Sequence, residues 1–271
     1  MSVWAERRVR ALELASAKPH AADILDCYAK VTEVQALLSS RIPVSEWVAA
    51  TAASDSDGPT LRLEQLPRGA ALELFDEFLD EMSGIGTTVM TAEALRLASS
   101  DRSERSELLG TTLLSDATSA QDFHARAFVE VVATTLAARV LPTTSAGTKE
   151  NPGLCRTCGA PPIVATLRDL PDALGSRGLI CSRCGCEARA RRLTCAYCGR
   201  EGTEGQRIHS PEGLPHIRID ECATCRSYIK TVDLRQRGDA VPIVDEIATV
   251  ELDLWAKDQG LTKGRTNLFG L

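Results

Sequence analysis

The sequence predicts an α+β multidomain chain: an N-terminal all-α helical domain, two small zinc-ribbon β modules built on cysteine, and a closing C-terminal helix. Three observations carry this. Four Cys-x-x-Cys pairs crowd between residues 155 and 225, apolar side chains recur at helical spacing through the first 140 residues, and a polar segment, PTTSAGTKENPG at 142–153, separates the two regions. The expected boundaries are 1–145 for the helical domain, 150–190 and 191–240 for the two metal modules, and 241–271 for the last helix and tail.

Helices are expected over 4–16 and 22–39, the second placing Ile24, Leu25, Tyr28, Val31, Val34, Leu37 and Leu38 at three- and four-residue intervals. Pro43 opens a short helix carrying Trp47, and AASDSDGPT reads as a polar loop. Further helices are expected at 67–82, 88–98 and 119–140. The last has Phe123, Ala127, Phe128, Val131, Val132 and Leu136 on one broad face, with Pro142 as its stop. No catalytic constellation stands out in this half. His20 and His124 are lone histidines, read as surface or core residues. Short strands are expected at 161–167, 177–181, 188–194, 206–209, 216–221 and 227–233. From Pro242 to Gly260 the pattern is that of one amphipathic helix, with Ile247, Val250, Leu254 and Leu261 on a face.

The pairs are Cys155/Cys158, Cys181/Cys184, Cys195/Cys198 and Cys222/Cys225, with 22, 10 and 23 residues between successive pairs. Cys195 repeats Cys155 at an offset of 40, and Cys222 repeats Cys181 at an offset of 41. A Cys-x-x-Cys turn aims two thiolates at one centre, and a second turn completes a tetrahedron with metal–sulfur distances of roughly 2.3 Å. Consecutive pairing, first with second and third with fourth, gives two cassettes of matched length. Crossed pairing is the alternative. Gly159, Gly185 and Gly199 follow three of the turns, where the left-handed conformation is needed; Arg226 stands at the fourth, for which a looser turn is expected.

Disulfides would require an oxidising compartment. The N-terminus MSVWAERRVRALELASAK has no apolar core of a signal peptide, and no run of some 18 apolar residues occurs, so a cytoplasmic address and metal ligation are expected. A redox dithiol of the thioredoxin kind would need a βαβ setting, whereas these segments are short, Gly/Pro-punctuated and arginine-rich. Cys27, in an apolar helical stretch, reads as a core thiol, and Cys186 as a bystander beside the second pair.

Net charge is −6, unevenly spread. Residues 1–149 hold 14 Lys/Arg against 21 Asp/Glu, and residues 150–240 hold 14 against 11. Arg183, Arg189, Arg191, Arg192 and Arg200 crowd the junction of the cassettes. They suit an acidic partner, or serve only to offset thiolate charge. The pI near 5.4 and the lack of interleaved aromatics argue against nucleic acid.

These residues carry a resemblance. CRTCGAPPIV, RGLICSRCGCEARARRLTCAYCG, ECATCRSYIK, VPIVDEIATVELDLWAKDQG and the tail TNLFG together resemble the formate dehydrogenase accessory protein family, FdhE-type. The order and spacing of the pairs match, as do the Gly159–Pro161 turn, Arg191-Arg192, Tyr228-x-Lys230 and the Asp245…Asp253 helix. The match covers about residues 150–271; the N-terminal half corresponds in being helical and of suitable size. Cys186-Glu187-Ala188 and GREGTEGQRIHS depart from the family pattern.

The resemblance implies a chaperone-like maturation factor, not an enzyme. Such a protein acts in the cytoplasm on respiratory formate dehydrogenases before their export by the twin-arginine route, and contacts the molybdenum-containing catalytic subunit. It implies tandem rubredoxin-like modules holding two tetrahedral ions, Zn2+ or Fe, on Cys155, Cys158, Cys181 and Cys184 and on Cys195, Cys198, Cys222 and Cys225. Four thiolates hold either metal in the same tetrahedron. Arg189, Arg191 and Arg192 are the expected partner-binding residues. The alternatives are a zinc-ribbon nucleic-acid-binding protein and a rubredoxin-like electron-transfer protein.

Overall fold

The computed structural model describes residues 2–53, 58–114, 123–140 and 153–271. The chain divides into two units. One comprises Met1–Pro142 with Leu268–Gly270, the other Thr143–Asn267 with Leu271. The expected 142–153 linker and the first residues of the expected 119–140 helix lie largely outside the described residues.

Seven α-helices are described in the first unit: α1 (Val3–Ala17), α2 (Ala22–Arg41), α3 (Val44–Thr51), α4 (Arg68–Met82), α5 (Thr88–Ser99), α6 (Arg102–Leu114) and α7 (Phe123–Ala137). Apolar spacing explains most of them. In α4, Leu72, Phe75, Phe78, Leu79 and Met82 are buried at intervals of three and four, and Phe128 of α7 packs against Phe75 and Phe78 at ring-centroid distances of 5.1 and 5.9 Å. Polar caps begin two helices: Ser2 Oγ accepts from Ala5 N in α1, and Thr87 Oγ1 from Met90 N in α5.

The sequence pattern does not announce α6. Its run RSERSELLGTTLL buries only Leu109, Gly110 and Leu113, too narrow a stripe to stand out against its charges. In α1, Arg7 is buried at a core-facing position. Its guanidinium pairs with Glu130 at 2.6 Å and lies 4.8 Å from the Trp4 ring centroid.

The second unit is built on one sheet. Its strands are β1 (Pro162–Leu170), β2 (Ala173–Cys181), β3 (Glu187–Ala190), β4 (Gln206–His209), β5 (Ile217–Cys222), β6 (Ser227–Asp233) and β7 (Thr262–Lys263). The order is β3-β2-β1-β6-β5-β4, with β7 also paired to β6. Each cassette supplies an antiparallel hairpin and a third strand. The two sets join through a parallel pairing of β1 with β6, Val164 opposite Lys230 to Leu167 opposite Asp233. Tandem modules therefore share a continuous hydrogen-bonded sheet.

One core cluster of this sheet joins Ile163, Val164, Ile180, Ile217, Ile219, Tyr228 and Val232 with Leu252, Ala256 and Leu261. Leu252 and Ala256 come from the closing helical segment, which is two helices and not the single one expected: α8 (Pro242–Ile247) and α9 (Val250–Asp258). The break has a physical cause. Lys230 Nζ donates to the carbonyls of Glu246 (2.6 Å) and Thr249 (3.2 Å), and Thr249 Oγ1 donates to Asp245 O at 2.9 Å. A buried ammonium inserted into the carbonyl ladder ends one helix and starts another. Among the described residues no helix is long and apolar enough to cross a membrane.

Candidate metal centres

Each thiol pair sits on a repeated turn. The residue after each second cysteine donates its N–H back to the first cysteine's carbonyl: Gly159 to Cys155 (2.7 Å), Gly185 to Cys181 (3.2 Å), Gly199 to Cys195 (3.2 Å) and Arg226 to Cys222 (2.9 Å). All four have left-handed backbone, φ 77°, 67°, 71° and 59°. The fourth turn is thus as tight as the others, contrary to the looser turn expected at Arg226. Non-glycine residues adopt this conformation at a cost, and here the side chain is fixed on both sides: Arg226 donates to the buried Glu221 carboxylate at 2.8 Å and to Gln259 O at 2.7 Å.

The turns bring the thiols together as two groups. Cys155, Cys158, Cys181 and Cys184 have their Sγ atoms within 4.8 Å of one another, and so do Cys195, Cys198, Cys222 and Cys225. Cys155–Cys184 and Cys158–Cys181 are 3.6 and 3.4 Å apart; Cys195–Cys225 and Cys198–Cys222 are each 3.7 Å apart. These separations exceed a disulfide bond of roughly 2.05 Å. A tetrahedron with metal–sulfur bonds of roughly 2.3 Å has edges of about 3.8 Å, close to those seen. The donor set is four soft sulfurs with no carboxylate or imidazole among them, a fit for Zn2+ or Fe.

Electrostatics point the same way. Backbone N–H groups face the sulfurs, from Thr157 to Cys155, Arg183 to Cys181 and Tyr197 to Cys195, each at 3.4 Å. Burial pushes the Cys181 thiol well above its ordinary range and Cys195 up to about 12. Cys222 is also raised by burial, but N–H groups of Cys225 and Thr224 with the neighbouring thiols bring it down to about 7. Four such sulfurs ionise together only around a cation that offsets their charge.

The groups are tied to each other within the sheet. Tyr197, inside the Cys195 turn, donates its hydroxyl to Pro162 O at the start of β1. Gly153, two residues before Cys155, approaches Ala196 so closely that a Cβ would lie 1.6 Å from the Ala196 carbonyl. Buried Arg177 on β2 donates to Thr194 O (2.8 Å) and Arg191 O (3.3 Å), fixing the connection into Cys195. Sequence reasoning missed Arg177, since an arginine on a strand looks like a solvated residue until the strand is known to be central.

It missed a second feature too, a buried ionic cluster over the same sheet. Lys230 meets Glu246 (3.0 Å) and Asp253 (2.8 Å); Lys263 pairs with Glu246 and with Asp253 (3.0 Å). Tyr228 donates to Asp253 and Asn267 to Glu246. Burial opposes charge on both partners, yet the carboxylates hold the Lys230 ammonium above its usual range, and the lysines hold Glu246 down to about 2. The signal was present in Tyr228-x-Lys230 and the Asp253 helix, but their meeting depends on β6 lying under α9.

The other singled-out residues fall as follows. Arg189 pairs with Asp172 at 2.6 Å and Arg191 with Glu201; both arginines and Arg192 are exposed. Cys186 lies outside both groups, against Cys184, and half-buried Cys27 has Met90 Sδ 4.0 Å away. His124 is buried in α7, and His20 is exposed.

Residues 181–269 match the family described as FdhE, C-terminal domain. A protein named FdhE homolog from Aquifex aeolicus is 40% identical over 116 residues, which cover 43% of this chain and 41% of that protein. A Stutzerimonas stutzeri FdhE homolog is 35% identical over 123 residues, 39% of its length. The matched part of the chain thus spans about two fifths of these relatives. A Rhizobium meliloti FdhE homolog matches more extensively, at 24% identity over 251 residues, 88% of this chain and 80% of that protein. The crystal structure of the FdhE protein from Pseudomonas aeruginosa superposes with a TM-score of 0.73 at 22% identity, covering 98% of this chain and 95% of the other. That likeness shows the fold.

Proposed function

With a chain that is FdhE-like in its C-terminal sequence and has the FdhE fold, we propose that it is a non-enzymatic accessory factor carrying two tetrahedral metal ions, acting in the cytoplasm on the catalytic subunit of a formate dehydrogenase before export. Cys155, Cys158, Cys181 and Cys184 hold one ion in this reading, and Cys195, Cys198, Cys222 and Cys225 the other. The observation that carries it is the convergence of two complete four-sulfur groups on one sheet, in a chain similar to FdhE proteins. The division into metal modules 150–190 and 191–240 belongs to the same proposal.

The ion supplies a fixed crosslink, and Fe would add a one-electron couple that Zn2+ lacks. The chain's own residues do the rest. The turns orient the sulfurs, Arg177 and Tyr197 hold the cassettes in register, and the ionic cluster anchors α8 and α9 to β6. What remains for a partner is the exposed surface, where the band holding Arg189, Arg191 and Arg192 is the proposed docking face. Two of these arginines are already paired with surface carboxylates, an arrangement that an acidic partner would have to displace.

The test is capture of a purified formate dehydrogenase catalytic subunit by the tagged, metal-loaded chain. Saturable one-to-one binding supports the proposal; no binding at any salt concentration contradicts it.

A further inference from the structure

The two thiol groups share ligand type, spacing and turn geometry, so any difference in what they do must come from their surroundings. Those surroundings differ sharply. In the first group Cys158, Cys181 and Cys184 are buried and Cys155 is nearly so at 9% exposure, and the first turn is lined by Thr157 and Ala160, 1% and 0% exposed. In the second group Cys195 and Cys222 are buried, Cys225 is half-buried and Cys198 is exposed. The chain on both sides of this turn is exposed as well, at 191–193 and at 200–204, with Leu193 showing 42% of its surface.

We propose that the second group is the exchange site of the pair, taking up and giving up its ion through the Cys198 edge, while the first group gives up its ion only slowly, through local opening. This rests on the reading that each group holds one ion. The physical reason is access. Before an ion leaves, a thiolate must be protonated or met by a competing ligand, and both come from solvent. Reactive thiols are those with partial exposure. In the first group no cysteine exceeds 9% exposure, and Cys181 is held in the pairing of β1 with β2, which runs from Pro162 opposite Cys181 to Leu170 opposite Ala173, so full access to its sulfur needs local opening of that pair. In the second, solvent reaches Cys198 with the sheet intact.

The occupant is a thiophilic divalent cation, and the probe is Zn2+. The full-length chain is loaded with Zn2+, its content measured, and the ion drawn off by excess 4-(2-pyridylazo)resorcinol. Pulses of N-ethylmaleimide followed by peptide mass mapping mark which thiols have been freed. The expected result is two equivalents at the outset, leaving in two steps whose rates differ by about tenfold or more. Cys198 and Cys225 are alkylated with the first step, and Cys155, Cys158, Cys181 and Cys184 with the second. Cys27 and Cys186 label independently of either step. A Cys198→Ser variant should lack the fast step and keep the slow one. Release of both equivalents at one rate, or first labelling at Cys155–Cys184, overturns the proposal and leaves the two-ion reading standing. Fewer than two equivalents at the outset overturns both.

Discussion

Single residues set the tolerances of this chain, and Lys230 is the plainest case. Its ammonium has no exposure to solvent and is held by Glu246, Asp253 and two backbone carbonyls. Replacing a buried ion-pair partner leaves uncompensated charge, at a cost of roughly 3–5 kcal/mol. Lys230→Met should therefore lower the stability of the second unit by about that amount in chemical denaturation, even though methionine fills the space. A loss within about 0.5 kcal/mol, the range of ordinary surface substitutions, would show that the cluster contributes no stability. His124 offers a second case, in the first unit. Burial pushes its imidazole down to about 4, and neither ring nitrogen has a hydrogen-bond partner among the described residues. The unfolded chain takes up this proton near pH 6.5 and the folded chain only near 4, so His124 costs nothing above 6.5. As pH falls from 6.5 to 4 the unfolded state is favoured by up to about 3 kcal/mol. His124→Leu should flatten this part of the stability–pH curve, measured by urea denaturation at successive pH values. An unchanged slope would mean that the histidine titrates normally.

At the scale of elements, the parallel pairing of β1 with β6 seats the second cassette on the strands of the first. Small β modules with few core residues take much of their folding energy from the metal, of the order of 10 kcal/mol per site. Cys181→Ser, in the first group, should unfold strands belonging to both cassettes while α1–α7 persist. Hydrogen exchange followed strand by strand decides it: a Cys181→Ser chain with β5 and β6 as protected as wild type would refute the coupling. Much of this architecture was legible beforehand, for identifiable reasons. Period-two and period-3.6 patterns marked most strands and helices, and the Cys-x-x-Cys turns ended β2 and β5. What stayed hidden depended on contacts distant in sequence. The join of β1 to β6 brings Val164 beside Lys230, which no local signal encodes. The break at Thr249 is made by a lysine on another strand. Arg226 looked unsuited to its turn because its stabilising partners, Glu221 and Gln259, come together only in the fold. In α6 the apolar stripe was too thin to rise above the charges.

For the whole molecule, charge distribution and metal content together decide what a partner would meet. Acidic residues predominate in the first 149 positions, and the cassette region alone is net positive, which gives the chain one basic band to present. Charge reversal at Arg191 and Arg192 should weaken capture of the formate dehydrogenase subunit, more so at low salt, with metal content unchanged. Loss of metal at unaltered affinity per folded molecule would instead make these arginines counter-charges for the thiolates. Beneath the partner question lies the claim that both four-sulfur groups are metal centres. X-ray absorption of the anaerobically purified chain, combined with elemental analysis, tests it most directly. Two equivalents of Zn or Fe per chain are expected, in an all-sulfur shell of about four ligands at roughly 2.3 Å. A content below two, or a shell with nitrogen or oxygen in place of sulfur, would contradict it.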